Sequence, residues 1–116
     1  MQITVSDRDA GFKRVTLVGK LDISGAQVIE VPLAAASGTR GNIVVDMTRV
    51  DFIASIGIRH LVMAAKAVAR GAGKLVLLDP TPMVTEVLLV AGLEQLLPIV
   101  RSEAEARALF AGAGSA

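Results

Sequence analysis

The stretch from Ile43 to Gly71, IVVDMTRVDFIASIGIRHLVMAAKAVARG, decides how this chain is read. Its opening run, Ile43-Val44-Val45, has the composition of a buried strand. A second short apolar piece, Phe52-Ile53, leads into Ala54-Ser55-Ile56-Gly57. Beyond it, Ile58, Leu61, Val62, Ala65, Val68 and Ala69 recur at helical spacing. Strand, linker, hydroxyl and helix follow in order, and Ser55 is the only hydroxyl at the junction. The pattern predicts Ser55 at the helix N-terminus, where unpaired N–H groups and the macrodipole favour negative charge. A phosphate added there would meet favourable backbone electrostatics. On this stretch alone the plainer role is preferred, that of an N-cap worth about 1 kcal/mol, because Ser is a common cap.

Working outward, Gln2 to Ser6 alternates polar and apolar residues, and Phe12 to Val18 places Val15 and Leu17 opposite Arg14 and Thr16. The two predict an antiparallel hairpin across a polar turn at Asp7–Gly11. Gly19-Lys20-Leu21-Asp22 closes the second strand. Ser24 with Gln27 fits a capping box that opens a helix burying Val28 or Ile29, Leu33 and Ala36. Pro32 falls inside that helix and is expected to kink or split it. Asn42–Asp46 is predicted as a parallel strand covered on one or both faces, and Asp46–Asp51 as a connection. The central helix, from about Ser55 to Arg70, is ended by Gly71 and Gly73. Its outward side carries Arg59, Met63, Lys66 and Arg70.

Lys74–Leu78 is a further strand. Thr81 caps the next helix with Pro82 at its first position, Val84, Val87, Leu88 and Ala91 face the core, and Gly92 stops it. Leu96–Val100 is a short strand that Pro98 confines to a sheet edge. Ser102 with Glu105 opens a last helix over Ala106, Leu109 and Phe110, and Gly112–Ala116 is expected to fray. The order β-β-α-β-α-β-α-β-α predicts an α/β fold, a mixed sheet of four to five strands packed by about four helices.

The 116 residues are read as one domain, and their 53% hydrophobic content suffices for a core and excludes a disordered chain. Twelve basic against eleven acidic residues leave no global nucleic-acid footprint. The asymmetry is local: from Phe52 to Leu78 there is no acid, while Arg59, Lys66, Arg70 and Lys74 are basic. No Cys is present, so disulfides and thiolate metal sites are excluded. No apolar run is long enough to span a bilayer, and the N-terminus lacks a signal-peptide pattern, so the chain is read as soluble and cytoplasmic, without membrane insertion. Gly71-Ala72-Gly73 follows a helix and is not a phosphate-cradling loop. His60 stands alone as a boundary residue, and no nucleophile, base and oxyanion donors assemble. Neither catalysis, cofactor nor metal is expected. Asp22 and Asp46 follow strand ends, where they either form turns or line one end of the sheet beside Ser55; the turn role is preferred.

Four pieces together resemble the STAS domain: Gly19-Lys20-Leu21-Asp22, Ile43-Val44-Val45-Asp46, Val50-Asp51-Phe52-Ile53-Ala54-Ser55-Ile56-Gly57 and Ala91-Gly92-Leu93. Within that family they are most similar to the bacterial anti-sigma factor antagonists, and the resemblance covers nearly the whole chain. It implies a small α/β domain that is not an enzyme. It implies a partner switch, in which the unphosphorylated antagonist binds an anti-sigma factor serine kinase and frees the sigma factor. The kinase then phosphorylates a Ser at the start of the central helix, and a PP2C-type phosphatase reverses this. By position Ser55 matches that Ser, and Asp22 matches an acid near it. Sporulation and stress-response members usually carry Asp before the phosphorylated Ser and Ser or Thr after it, where this chain has Ala54 and Ile56.

The expected docking face combines Asp22, Ser24, Ser55, Ile56 and Gly57 with Arg59, Met63 and Lys66. A switchable protein-binding module is the leading reading. A constitutively docking STAS subunit of a lipid-transport ATPase complex is the alternative, and a small-ligand or nucleotide sensor is more remote.

Overall fold

A computed structural model of the chain describes residues 1–7 and 11–114. The elements are β1 (Gln2–Asp7), β2 (Phe12–Leu21), α1 (Ile23–Ser37), β3 (Asn42–Ile53), α2 (Ser55–Arg70), β4 (Leu75–Leu78), α3 (Pro82–Val90), β5 (Ile99–Val100) and α4 (Glu103–Gly114). The strands form one sheet in the order β1-β2-β3-β4-β5. β1 and β2 are the antiparallel hairpin expected, and every later pairing is parallel. The mixed α/β architecture therefore stands. Arg8–Ala10 of the expected turn, and Ser115 and Ala116 of the tail expected to fray, lie outside the described residues; Gly112–Gly114 continue α4.

Each face of the sheet buries its own core. Val15, Leu17, Ile43, Val45, Met47 and Leu77 pack with Ile29, Leu33, Leu61, Val68, Val84 and Leu88 of α1, α2 and α3. On the other face Phe12, Val44, Val76, Leu78 and Val100 meet Ala106, Leu109 and Phe110 of α4. Residues alternate between the faces along β3 because successive side chains of a strand point opposite ways.

Several boundaries differ from the sequence reading. Asp46–Asp51 is strand, not connection: β3 runs unbroken to Ile53 beside a β2 that continues through Gly19 to Leu21. Register shifts occur between Thr16 and Val18 and between Gly19 and Lys20, and Gly19 takes a positive φ of 117°. α1 is a single helix despite Pro32. Its inner side, Ile29, Leu33 and Ala36, is fully packed, which offsets the roughly 3 kcal/mol a mid-helix proline costs. Val28 is exposed, so Ile29 is the core residue of that pair. At the end of α2 the left-handed residue is Ala72, with φ 65°, and neither flanking glycine. Gly73 serves close approach instead: a Cβ there would lie 2.2 Å from the Gly41 carbonyl oxygen. Ala91 caps α3 and is exposed, outside the core stripe, while Gly92 follows with φ 72°. The last strand is only Ile99–Val100, and it is an edge strand as Pro98 required.

Candidate functional site

The parallel pairing of β2 with β3 sets Leu21 opposite Ile53, so both strands end side by side. The Ala54 N–H donates to the Leu21 carbonyl at 2.9 Å, tying the two exits together. One residue further on, each strand gives way to a helix. Asp22 therefore neighbours Ala54-Ser55 at the C-terminal edge of the sheet. Gly57 lets α2 sit against this edge: a Cβ there would lie 2.5 Å from Leu21 Cγ and 3.0 Å from the Leu21 carbonyl oxygen. Gly25 does the same for α1, where a Cβ would fall 2.2 Å from the Lys20 carbonyl oxygen. Sequence reasoning missed Gly25, because a glycine in a helical pattern carries no sign of what passes over it.

The caps at the two exits are not those expected. Asp22, not Ser24, is the N-cap of α1; its Oδ1 accepts from the Gly25 N–H at 2.8 Å. Asp22 is thus a helix cap, with the carboxylate at the positive end of the helix where it is favoured. Ser24 lies exposed inside the first turn. At α2 the N-cap is Ala54, which brings no side-chain bond, and Ser55 is the first helical residue. Ser55 is exposed, and its hydroxyl makes no hydrogen bond to another described residue. The N-cap role preferred for it is overturned for a geometric reason: only the residue before the first helical one can fold its side chain back onto the opening N–H groups.

Large apolar side chains stand exposed at the two junctions. Ile23 is 69% exposed, Ile56 36% and Phe52 43%. Ile23, Ile56, Arg59 and Met63 line one groove where α1 meets α2. Arg59, Met63 and Lys66 lie on the exposed side of α2, while Gly57 is buried beneath it. The edge therefore brings Asp22 close to Ser55, and the groove beside it adds Ile56, Arg59 and Met63. Ile23 was absent from the expected set, because Asp22 was not read as the cap of α1 and only the structure shows Ile23 exposed beside it.

Asp46 does not belong here. It lies within β3, nearly buried at 8% exposure and turned toward α4. Its Oδ2 accepts from Arg14 Nη2 at 2.8 Å, and its Oδ1 accepts from the Thr48 hydroxyl at 2.7 Å and the Thr48 N–H at 3.0 Å. Arg14 reaches on to Glu103 of α4 at 3.1 Å. Burial pushes the Asp46 carboxyl up, but the Thr48 and Arg14 hydrogen bonds more than offset this and hold it below the ordinary value. Asp46 is a brace between strand and helix. Among the described residues no cluster of His, Asp or Glu could hold a metal ion. No helix among them is long and apolar enough to cross a membrane.

The profile of the STAS domain family matches residues 4–106, and the chain belongs to that family. BtrV of Bordetella bronchiseptica, which carries the name of an anti-sigma factor antagonist, is 33% identical over 112 residues, 95% of each chain. An anti-sigma factor antagonist from Mycobacterium paratuberculosis superposes with a TM-score of 0.83 at 21% identity, over 94% of this chain and 92% of its own. SpoIIAA is similar in both its solved forms. The unphosphorylated anti-sigma factor antagonist gives 0.76 at 23% identity over 96% and 97% of the two chains. The phosphorylated Bacillus cell fate determinant gives 0.71 at 20% over 93% and 99%. These structural likenesses show a shared fold.

Proposed function

We propose that the chain is an anti-sigma factor antagonist whose partner is an anti-sigma factor serine kinase, and that phosphorylation of Ser55 ends the complex. The observation that carries this reading is the Ser55 hydroxyl itself: exposed, engaged by no described residue, and set at an N-terminus that has no side-chain cap. The unmodified edge offers Ile23, Ile56 and Met63 to a partner and Arg59 to an acid on it. Transfer of the terminal phosphoryl group of ATP to Ser55 Oγ releases ADP and the hydroxyl proton. It leaves about −1.5 to −2 charges at the start of α2. The open N–H groups and the helix dipole accept that charge, so the domain stays folded. Arg59, four residues on and on the same side of the helix, turns to the phosphate. The same group that the fold tolerates then sits in an interface built to be apolar. A PP2C-type phosphatase restores the docking form, and the chain supplies no catalysis of its own.

Ala54 and Ile56 replace the residues usual in relatives, so a kinase that reads this site meets an apolar frame. The test is incubation of the purified chain with its cognate kinase and ATP, followed by mapping of the modified residue. A single phosphate on Ser55, abolished in Ser55→Ala, is expected. A chain left unmodified by a kinase that binds it would favour the constitutively docking subunit instead.

A further inference from the structure

The groove that Ile56 lines beside the start of α2 does not stop there. Its near part, about 330 Å³, is lined by Ile23, Ala26, Ile56 and Arg59. A far part of about 410 Å³ is lined by Leu33, Ala34, Ala64, Ala67 and Arg70, and Glu30, His60 and Met63 border both. The trough therefore follows the seam between α1 and α2 from their first turns to their last. The 16 residues of α2 make it roughly 24 Å long at ~1.5 Å per residue.

Its two banks differ. From Ile23 to Ser37 α1 carries a single charge, Glu30, and presents Ile23, Ala26, Leu33 and Ala34 to the groove. The α2 bank exposes Arg59, Lys66 and Arg70 and carries no acid. The floor is apolar and largely of small side chains, which lets a backbone approach closely. Two helices offer no free strand edge, so an extended peptide would find no ladder to join, whereas a helix laid along the seam fits its length and shape. A second copy of this chain would bring its own basic α2 against a basic bank, and like charges repel there.

We propose that the groove seats an amphipathic helix of the partner. Its apolar side lies on Met63, Ala64 and Ala67 and against Leu33 and Ala34 of α1, and a row of acids meets Arg59, Lys66 and Arg70. This deepens the reading of Ser55 as the partner site and rests on it for the partner's identity. Ser55 directly precedes Ile56, which lines the near end of the groove, so its phosphate acts on that end of the docked helix and leaves the far end intact.

The probes are two synthetic helical peptides of about 16 residues, matched to the groove length. Both carry the same leucine face, one flanked by Glu and the other by Lys. Each is titrated into the full chain with labelled Met and Ala methyl groups observed by NMR. The Glu-flanked peptide should shift the Met63 methyl and leave Met83, exposed on α3, unmoved. The Lys-flanked peptide should bind at least about tenfold more weakly. Arg70→Glu is exposed and harmless to the fold, and should weaken the Glu-flanked peptide by about five- to tenfold. Ala67→Glu should do so as well.

Equal binding of the two peptides, no binding of either, a shift at Met83 in place of Met63, or indifference to Arg70→Glu would overturn the proposal. No phosphoryl transfer enters this experiment. An empty groove beside a working Ser55 switch removes only the groove, and a filled groove beside an unmodified Ser55 removes only the switch.

Discussion

β2 and β3 end side by side, and each hands the chain to a helix across one residue, yet the two junctions are finished differently. At the first, Asp22 folds its carboxylate onto the Gly25 N–H, and the opening of α1 already has its negative charge. At the second, Ala54 has nothing to offer, Ser55 has passed into the helix, and the opening of α2 is left without a side-chain cap. One fold thus holds a satisfied helix N-terminus and an unsatisfied one, joined by the Ala54 to Leu21 hydrogen bond. The difference separates a helix start that carries its own carboxylate from one that carries no capping group. A negative group is built into the start of α1, and at α2 the proposed phosphate on Ser55 would supply one.

The largest expected effects break the geometry that both junctions share. Gly25→Ala places a Cβ 2.2 Å from the Lys20 carbonyl oxygen, a backbone atom with nowhere to go. A loss of about 3 kcal/mol in urea unfolding is expected, at the upper end of overpacking costs. Gly57→Ala meets the Leu21 side chain at 2.5 Å, and since a side chain can partly repack the loss should be about 1–2 kcal/mol. A Gly57→Ala cost well above that of Gly25→Ala would reverse the ranking of the two contacts.

The next effect is on the caps themselves and has opposite signs at the two junctions. Asp22→Ala should destabilise by about 1 kcal/mol, because the Gly25 N–H loses its acceptor. Ala54→Asp should stabilise by about 0.5–1 kcal/mol, because α2 gains the cap it lacks. Thermal unfolding of both variants measures this, and a destabilising Ala54→Asp would mean that the second N-terminus was not open.

The smallest effect concerns Asp46, the carboxylate that belongs to neither junction. Its folded-state value lies below the ordinary 3.8, so the stability it confers is complete above pH 3.8 and is lost as pH falls through the lower folded value. Acid unfolding of the wild type should therefore be steeper below pH 3.8 than that of Asp46→Asn. Identical slopes would remove Asp46 from the balance of forces that holds α4.

Hydrophobic periodicity made the order of elements, the central helix and the edge position of the last strand legible, because burial on one face writes itself into spacing. The second half of β3 was not legible. There the buried residues Met47, Val50 and Ile53 are three apart, and the exposed Thr48, Arg49, Asp51 and Phe52 between them resemble a loop. Register shifts against β2 break the two-residue period there. Of the site, Ser55, Ile56, Arg59 and Met63 could be read from the junction and the exposed stripe of α2. Asp22 was found as a residue but not as a cap: Ser24-x-x-Gln27 imitates a capping box, and the true pair, Asp22 with Gly25, has the same spacing. Gly25 could not be read at all, since its need arises from a carbonyl of the preceding strand. Asp46 resembled Asp22 because each was read just after a strand end, and only β3's continuation past it shows that it faces Arg14 and α4.

The claim that Ser55 is a switch is tested most directly by measuring the affinity of the cognate kinase for the unmodified chain and for the chain carrying authentic phosphoserine at 55. Burying an unmatched charge in such an interface costs roughly 2–5 kcal/mol, so the phosphorylated form should bind about one and a half to three and a half decades more weakly. Ser55→Ala should bind as the unmodified chain does. Equal affinity for the phosphorylated and unmodified forms would contradict the switch.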